Sequence, residues 1–191
     1  MSRVLIVPGW NGSGPDHWQS DWQLRHPEYQ RVEQRDWHNV DLQEWVSVLH
    51  NAIVASEEGT ILVAHSLGCA TIAWWTNLFP EYAGLVSAAL LVAPNDPERP
   101  LERLEPLRSF PPPPRTALPF ASVLVGSEND PCMALADAAS LADDWDSYFI
   151  NAGAAGHINP VSGFGPWPRG ERLLDQLVHW SDARHRPERA A

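Results

Sequence analysis

"TILVAHSLGCA", residues 60–70, decides how this chain is read. An uninterrupted apolar run ends on His65-Ser66-Leu67-Gly68, and a helix-forming stretch follows at once. Such a run describes a strand buried on both faces, the kind found in a parallel sheet with helices on either side. A lone serine among small residues at the end of that strand has two readings. It is a packing turn into the helix, or it is a nucleophile raised at the carboxyl edge of the sheet.

The same alternation extends in both directions. "RVLIV" (3–7) reads as a first strand, followed by the loop "PGWNGSG" and a helix over about 16–24. "YQRVEQ" (29–34) is a weaker strand. Residues 41–56 form an amphipathic helix with Leu42, Trp45, Val46, Leu49 and Ile53 on one face, and Asp41 with Glu44 can cap its start. The helix after Ser66 should stop near Leu78, ahead of Pro80. Strands are expected at 85–93, 121–126 and 146–151, with helices over about 132–143 and 168–180. The expected class is α/β, a doubly wound and mainly parallel sheet of about six strands with helices on both faces. Residues 1–181 should form one domain, with 182–191 a charged, frayed tail. The proline-rich stretch 94–119 is too short for a cap domain and reads as an excursion at the site rim, its "PPPP" stiffened as polyproline II.

Composition excludes several classes. Lys and Arg number 13 against 24 Asp and Glu, a net charge of −11, which repels nucleic acid and anionic membrane surfaces. No apolar run approaches the ~20 residues that span a bilayer, and "MSRVLIVPGW" reads as a strand rather than a signal peptide. Cys69 and Cys132 form neither a disulfide framework nor a zinc pattern, so the expectation is a cytoplasmic protein with no metal or cofactor. Ten tryptophans suggest a strongly aromatic core and pocket walls.

For the serine, context favours the nucleophile. In a strand–nucleophile–helix elbow the residues two positions either side crowd the turn and must be small, and here they are Ala64 and Gly68. The Leu67 N–H, at the start of the helix, is then one oxyanion donor. A second is expected from Trp10, because Gly9 permits close backbone approach in the loop after the first strand. The base is expected to be His157, in the uncharged loop "NAGAAGHINP" after the last strand. Two acids fit the chain order, Asp96 in "LVAPNDP" and Asp130 in "VGSENDP"; Asp130 is preferred because its strand lies nearer the histidine loop. His65 and Trp18 are expected as walls of the substrate pocket, and His17 near it.

Taken together, "VPGWNGSGPDHWQSDW", "AHSLG", "GSENDP" and "GHIN" resemble the RBBP9/YdeN family of small α/β-hydrolase-fold serine hydrolases. The resemblance implies that fold with no full cap and a triad of Ser66, Asp130 and His157. It does not extend to the retinoblastoma-protein partner of some members, since "LGCAT" lacks the Glu of an L-x-C-x-E segment. Acyl transfer on small esters or amides is the expected activity, carboxylesterase-like, with rates that rise as the histidine base deprotonates. A catalytically silent interaction module on the same scaffold is the alternative. A nucleotide-binding oxidoreductase is a third, with Asp36 as ribose acid, though "GWNGSG" lacks the G-x-G-x-x-G spacing.

Overall fold

The computed structural model describes residues 3–56, 59–96, 107 and 110–184. In chain order the elements are β1 (Val4–Val7), α1 (Trp18–Arg25), β2 (Gln30–Arg31), α2 (Leu42–Ser56), β3 (Thr60–His65), α3 (Leu67–Leu78), β4 (Val86–Val92), β5 (Ala121–Gly126), α4 (Leu135–Asp144), β6 (Tyr148–Asn151) and α5 (Pro168–Arg184). All five strand pairings are parallel, and the sheet order is β2-β1-β3-β4-β5-β6. The expected second strand is only two residues long, with Gln30 and Arg31 pairing with Leu5 and Ile6 of β1.

Period-two alternation along the central strands sends successive side chains to opposite faces. Leu62 and Ala64 of β3, with Ala89 and Leu91 of β4, meet Leu49 and Ile53 of α2, Ile72 and Trp75 of α3, and Leu141 of α4. Ile61 and Val63, with Ala88, Leu90 and Val92, meet Trp18 and Trp22 of α1 and Leu174 and Leu177 of α5. Each fully buried aliphatic side chain contributes roughly 1.5–3 kcal/mol, so covering both faces is what holds the sheet together. Trp18, Trp22, Trp45, Trp75 and Trp145 are all fully buried, so the aromatic content serves the core.

Local signals set the helix ends. Asp41 Oδ1 accepts the Glu44 N–H at 2.9 Å and caps α2. Helix α3 ends at Leu78, two residues before Pro80 opens a short 3-10 turn. Helix α5 runs on to Arg184, into the segment expected to be a frayed tail, while 185–191 lie outside the described residues. Most of the proline-rich excursion, 97–106 and 108–109, also lies outside them. Its tetraproline end is pinned by two indoles: Trp74 donates to the Pro111 carbonyl at 3.3 Å and Trp145 to that of Pro114 at 2.8 Å. Among the described residues no helix is long and apolar enough to cross a membrane.

Register brings β1 and β3 level at their carboxyl ends, with Val7 beside Ala64. There the first turn of α3 lies directly on the end of β1. A Cβ on Gly68 would stand 2.3 Å from the Val7 carbonyl oxygen and 3.0 Å from that of Pro8. Gly84, by contrast, has nothing within 4 Å of its Cβ position. Gly68→Ala should therefore cost about 3 kcal/mol or more, whereas Gly84→Ala should stay within about 0.5 kcal/mol of wild type. Urea melts of the two variants check this, and equal melts would refute the close approach.

Candidate active site

Ser66 occupies the one-residue junction between β3 and α3, with φ 54° and ψ −123°. A non-glycine residue there costs about 1–3 kcal/mol and persists only where its surroundings impose it. They do so here. The Ser66 N–H donates to the Val92 carbonyl at 3.0 Å, and its carbonyl accepts the Cys69 N–H at 2.9 Å. Gly9 presses on the same turn, its Cβ position 2.9 Å from Ser66 Cβ and 3.1 Å from the Leu67 nitrogen. The crowding inferred from small residues thus comes from one strand end, that of β1, whose Val7 and Pro8 carbonyls lie against Gly68 and whose following Gly9 presses on Ser66.

His157 comes from the loop after β6. Its Nε2 lies 3.0 Å from Ser66 Oγ, and its Nδ1 lies 2.9 and 3.0 Å from the two Asp130 carboxylate oxygens. Asp130 is buried in the turn after β5, where Oδ1 also accepts the Cys132 N–H at 2.8 Å. The two acid candidates are therefore separated by geometry. Asp96, after β4, lines a cleft of about 460 Å³ with Arg115, Met133 and Asp137, and its N–H donates to the Cys132 carbonyl at 3.0 Å. Ligand atoms of Asp130, Cys132 and His157 lie within 4.8 Å of one another, a donor set suited to a metal ion. Two of its members are already joined to each other by hydrogen bonds, as a base and its orienting acid require.

The histidine loop is tightly held. The Gly156 N–H donates to Asn129 Oδ1 at 2.6 Å, the Ala155 N–H to Ser127 Oγ at 3.0 Å, and the His157 N–H to Ser162 Oγ at 3.2 Å. Gly156 has φ 56°, and a Cβ there would fall 2.2 Å from Ser162 Oγ. Ser127, Asn129 and Ser162 were not singled out in the sequence. Asn129 was the most legible of them, as the immediate neighbour of Asp130 in "ENDP".

The expected pocket walls are corrected. Trp18 has no exposed surface and His65 retains 6%, so neither can face a substrate. Trp18 packs between Trp22 and Trp167 at centroid distances of 4.6 and 5.2 Å. Residue 65 is the last of β3, and extended geometry turns its side chain away from the serine and under the histidine loop. His17 lies behind it, so three imidazoles stand in a row, His157 to His65 at 4.9 Å and His65 to His17 at 4.7 Å. Trp10 is partly exposed, and its indole donates to the His38 carbonyl at 2.9 Å. Asp36 spends its carboxylate on its own turn, accepting from the Asn39 amide and from the His38 and Asn39 N–H groups.

A family model described as serine hydrolase matches residues 4–176. The chain belongs to that family, the RBBP9/YdeN serine hydrolases. A solved YdeN-like hydrolase from Pectobacterium atrosepticum is 31% identical, with 95% of this chain and 92% of that one aligned at a TM-score of 0.83. The ydeN product of Bacillus subtilis aligns over 94% and 100% of the two chains, at 20% identity and TM-score 0.73. The esterase RhEst1 of Rhodococcus sp. ECU1013 shares the fold at 13% identity, TM-score 0.63, over 94% and 90%. No curated protein matches the sequence. The architecture is thus the α/β-hydrolase fold, and no cap domain is evident among the described residues of this serine hydrolase.

The buried imidazoles make stability depend on pH. Burial, then the Arg31 charge and then that of His157, push the His17 ring down to about 3, and burial holds His65 well below the usual histidine range. In the unfolded chain both rings bind protons from ~6.5 downward, while folded His17 does not until about 3. Stability therefore falls as pH drops through that window, by roughly 2 kcal/mol from His17 alone between pH 6.5 and about 4.5. Urea melts at the two pH values should show this loss for wild type and a smaller one for His17→Gln. A flat wild-type profile would mean that the rings are solvated.

Proposed function

We propose that this family member cleaves small ester or amide substrates through an acyl-enzyme on Ser66, acting as a carboxylesterase-like hydrolase. The observation that carries the reading is one imidazole engaged at both nitrogens, 2.9 Å from Asp130 on one side and 3.0 Å from Ser66 Oγ on the other. In this reading His157 Nε2 takes the hydroxyl proton as Oγ attacks the substrate carbonyl carbon. Asp130 holds the proton-bearing Nδ1 and stabilises the imidazolium. The oxyanion is held by the N–H groups of Leu67, at the start of α3, and of Trp10, beside Gly9. The imidazolium returns its proton to the leaving oxygen or nitrogen, the C–O or C–N bond breaks, and the acyl group stays on Ser66. Water attacks the acyl carbon as His157 takes its proton; Ser66 Oγ leaves, recovers that proton, and the free acid departs.

The net charge of −11 supports small-molecule rather than nucleic-acid substrates, and a chain with only two cysteines supports a cytoplasmic setting. Both belong to the proposal, as does a single domain over 1–181. The absence of a cap among the described residues favours compact, soluble esters over long acyl chains.

Intact-protein mass after a fluorophosphonate probe tests the mechanism. Wild type should gain one adduct and Ser66→Ala none. Asp130→Asn should lower kcat for a p-nitrophenyl ester by about 10³–10⁴-fold, while Asp96→Asn stays within about twofold. No adduct on folded wild type would leave an interaction module as the better reading. An Asp96→Asn loss equal to that of Asp130→Asn would reassign the acid.

A further inference from the structure

Two consecutive carbonyls of the histidine loop are held from beneath by side chains that the hydrolytic steps do not use. His65 Nε2 lies 2.9 Å from the His157 carbonyl oxygen, and the Trp18 indole N–H donates to the Ile158 carbonyl at 2.9 Å. A carbonyl only accepts, so His65 carries its proton on Nε2. Its ring has little lateral freedom, because His17 meets it edge to face on one side and His157 flanks it on the other. Between the two clamped carbonyls sits Ile158, fully buried with φ 47°. A β-branched residue takes that conformation only when its neighbours impose it.

We propose that His65 is a positioning residue, with Trp18 as its companion: by fixing the backbone at His157 and Ile158 it aims the His157 imidazole along the line from Asp130 to Ser66. This rests on the hydrolase reading. Burial keeps the His65 ring neutral, the form with a single fixed donor. Neither side chain reaches substrate, so the clamp acts on the chemical step and not on binding. Proton transfer across a 3.0 Å contact is sensitive to small errors, since a displacement of ~1 Å can cost about 10²-fold in rate.

The test uses two replacements of different chemistry. His65→Phe keeps a flat ring against His17 and removes the donor, whereas His65→Gln offers an amide N–H in its place. With p-nitrophenyl acetate, His65→Phe should lose about 10- to 100-fold in kcat at a KM within about twofold, and His65→Gln should recover about fivefold or more of that loss. Labelling by the fluorophosphonate probe should slow in parallel. A folded His65→Phe protein with wild-type kcat, or equal losses in the two variants, overturns the proposal. Wild type supplies a measurement independent of any variant's folding. Nitrogen-15 imidazole spectra at pH 7 should show His65 as the neutral Nε2–H tautomer, and an Nδ1–H tautomer overturns the clamp. Wild type that takes no probe would instead refute the hydrolase reading, while the tautomer still decides whether the His65 bond exists.

Discussion

The candidate site depends on how closely the end of β1 approaches the turn at Ser66. Backbone meets backbone there: Gly68 against the Val7 carbonyl, and Gly9 against Ser66 and the Leu67 nitrogen. No side chain fits in either gap, so the chain has glycine at both. The contact exists because parallel pairing sets Val7 level with Ala64, which brings the loop after β1 alongside the elbow. The strained serine, the start of α3 and the Trp10 segment are consequences of that one register.

A second network anchors the same loop from below. Gln19, fully buried on α1, donates to the Val63 carbonyl at 3.0 Å and accepts from Ser13 Oγ at 2.5 Å. Arg31 and Ser20 both donate to the Ser13 carbonyl, at 3.0 and 2.7 Å. Buried polar groups are stable only when satisfied, and these satisfy one another across three elements. The histidine loop and the loop after β1 are thus held by different sets of residues, and both sets include side chains from 13–20.

Much of this was legible in the sequence. Continuous aliphatic runs gave the parallel sheet, because burial on both faces keeps the middles of β3 and β4 apolar and leaves polar residues, Thr60, His65 and Ser87, only at or near the strand ends. Ser66 and His157 were legible from small neighbours and position. The carboxylate partner of His157 was half legible, since Asp96 and Asp130 occupy identical tripeptides and only coordinates show which one meets the imidazole. Trp18 and His65 were misplaced because a sequence near a site does not say on which side of the loop a ring lies. The Ser127, Asn129 and Ser162 bonds rely on loop geometry with no periodic signature. The second strand, read as weaker from its sequence, is shorter still, with only Gln30 and Arg31 pairing with β1.

The hydroxyl of Ser66 and the imidazole of His157 are separated by 91 positions along the chain. On the ribosome Ser66 is therefore made first, and His157 follows it. At translation speeds of ~5–20 residues per second, roughly 5–20 s pass between them. During that interval β1 and β3 can pair and set the turn while Ser66 still lacks its imidazole partner. The hydrogen bonds that join Ser66, His157 and Asp130 form only once the C-terminal third is made, so a truncated or stalled product carries the first strands without them.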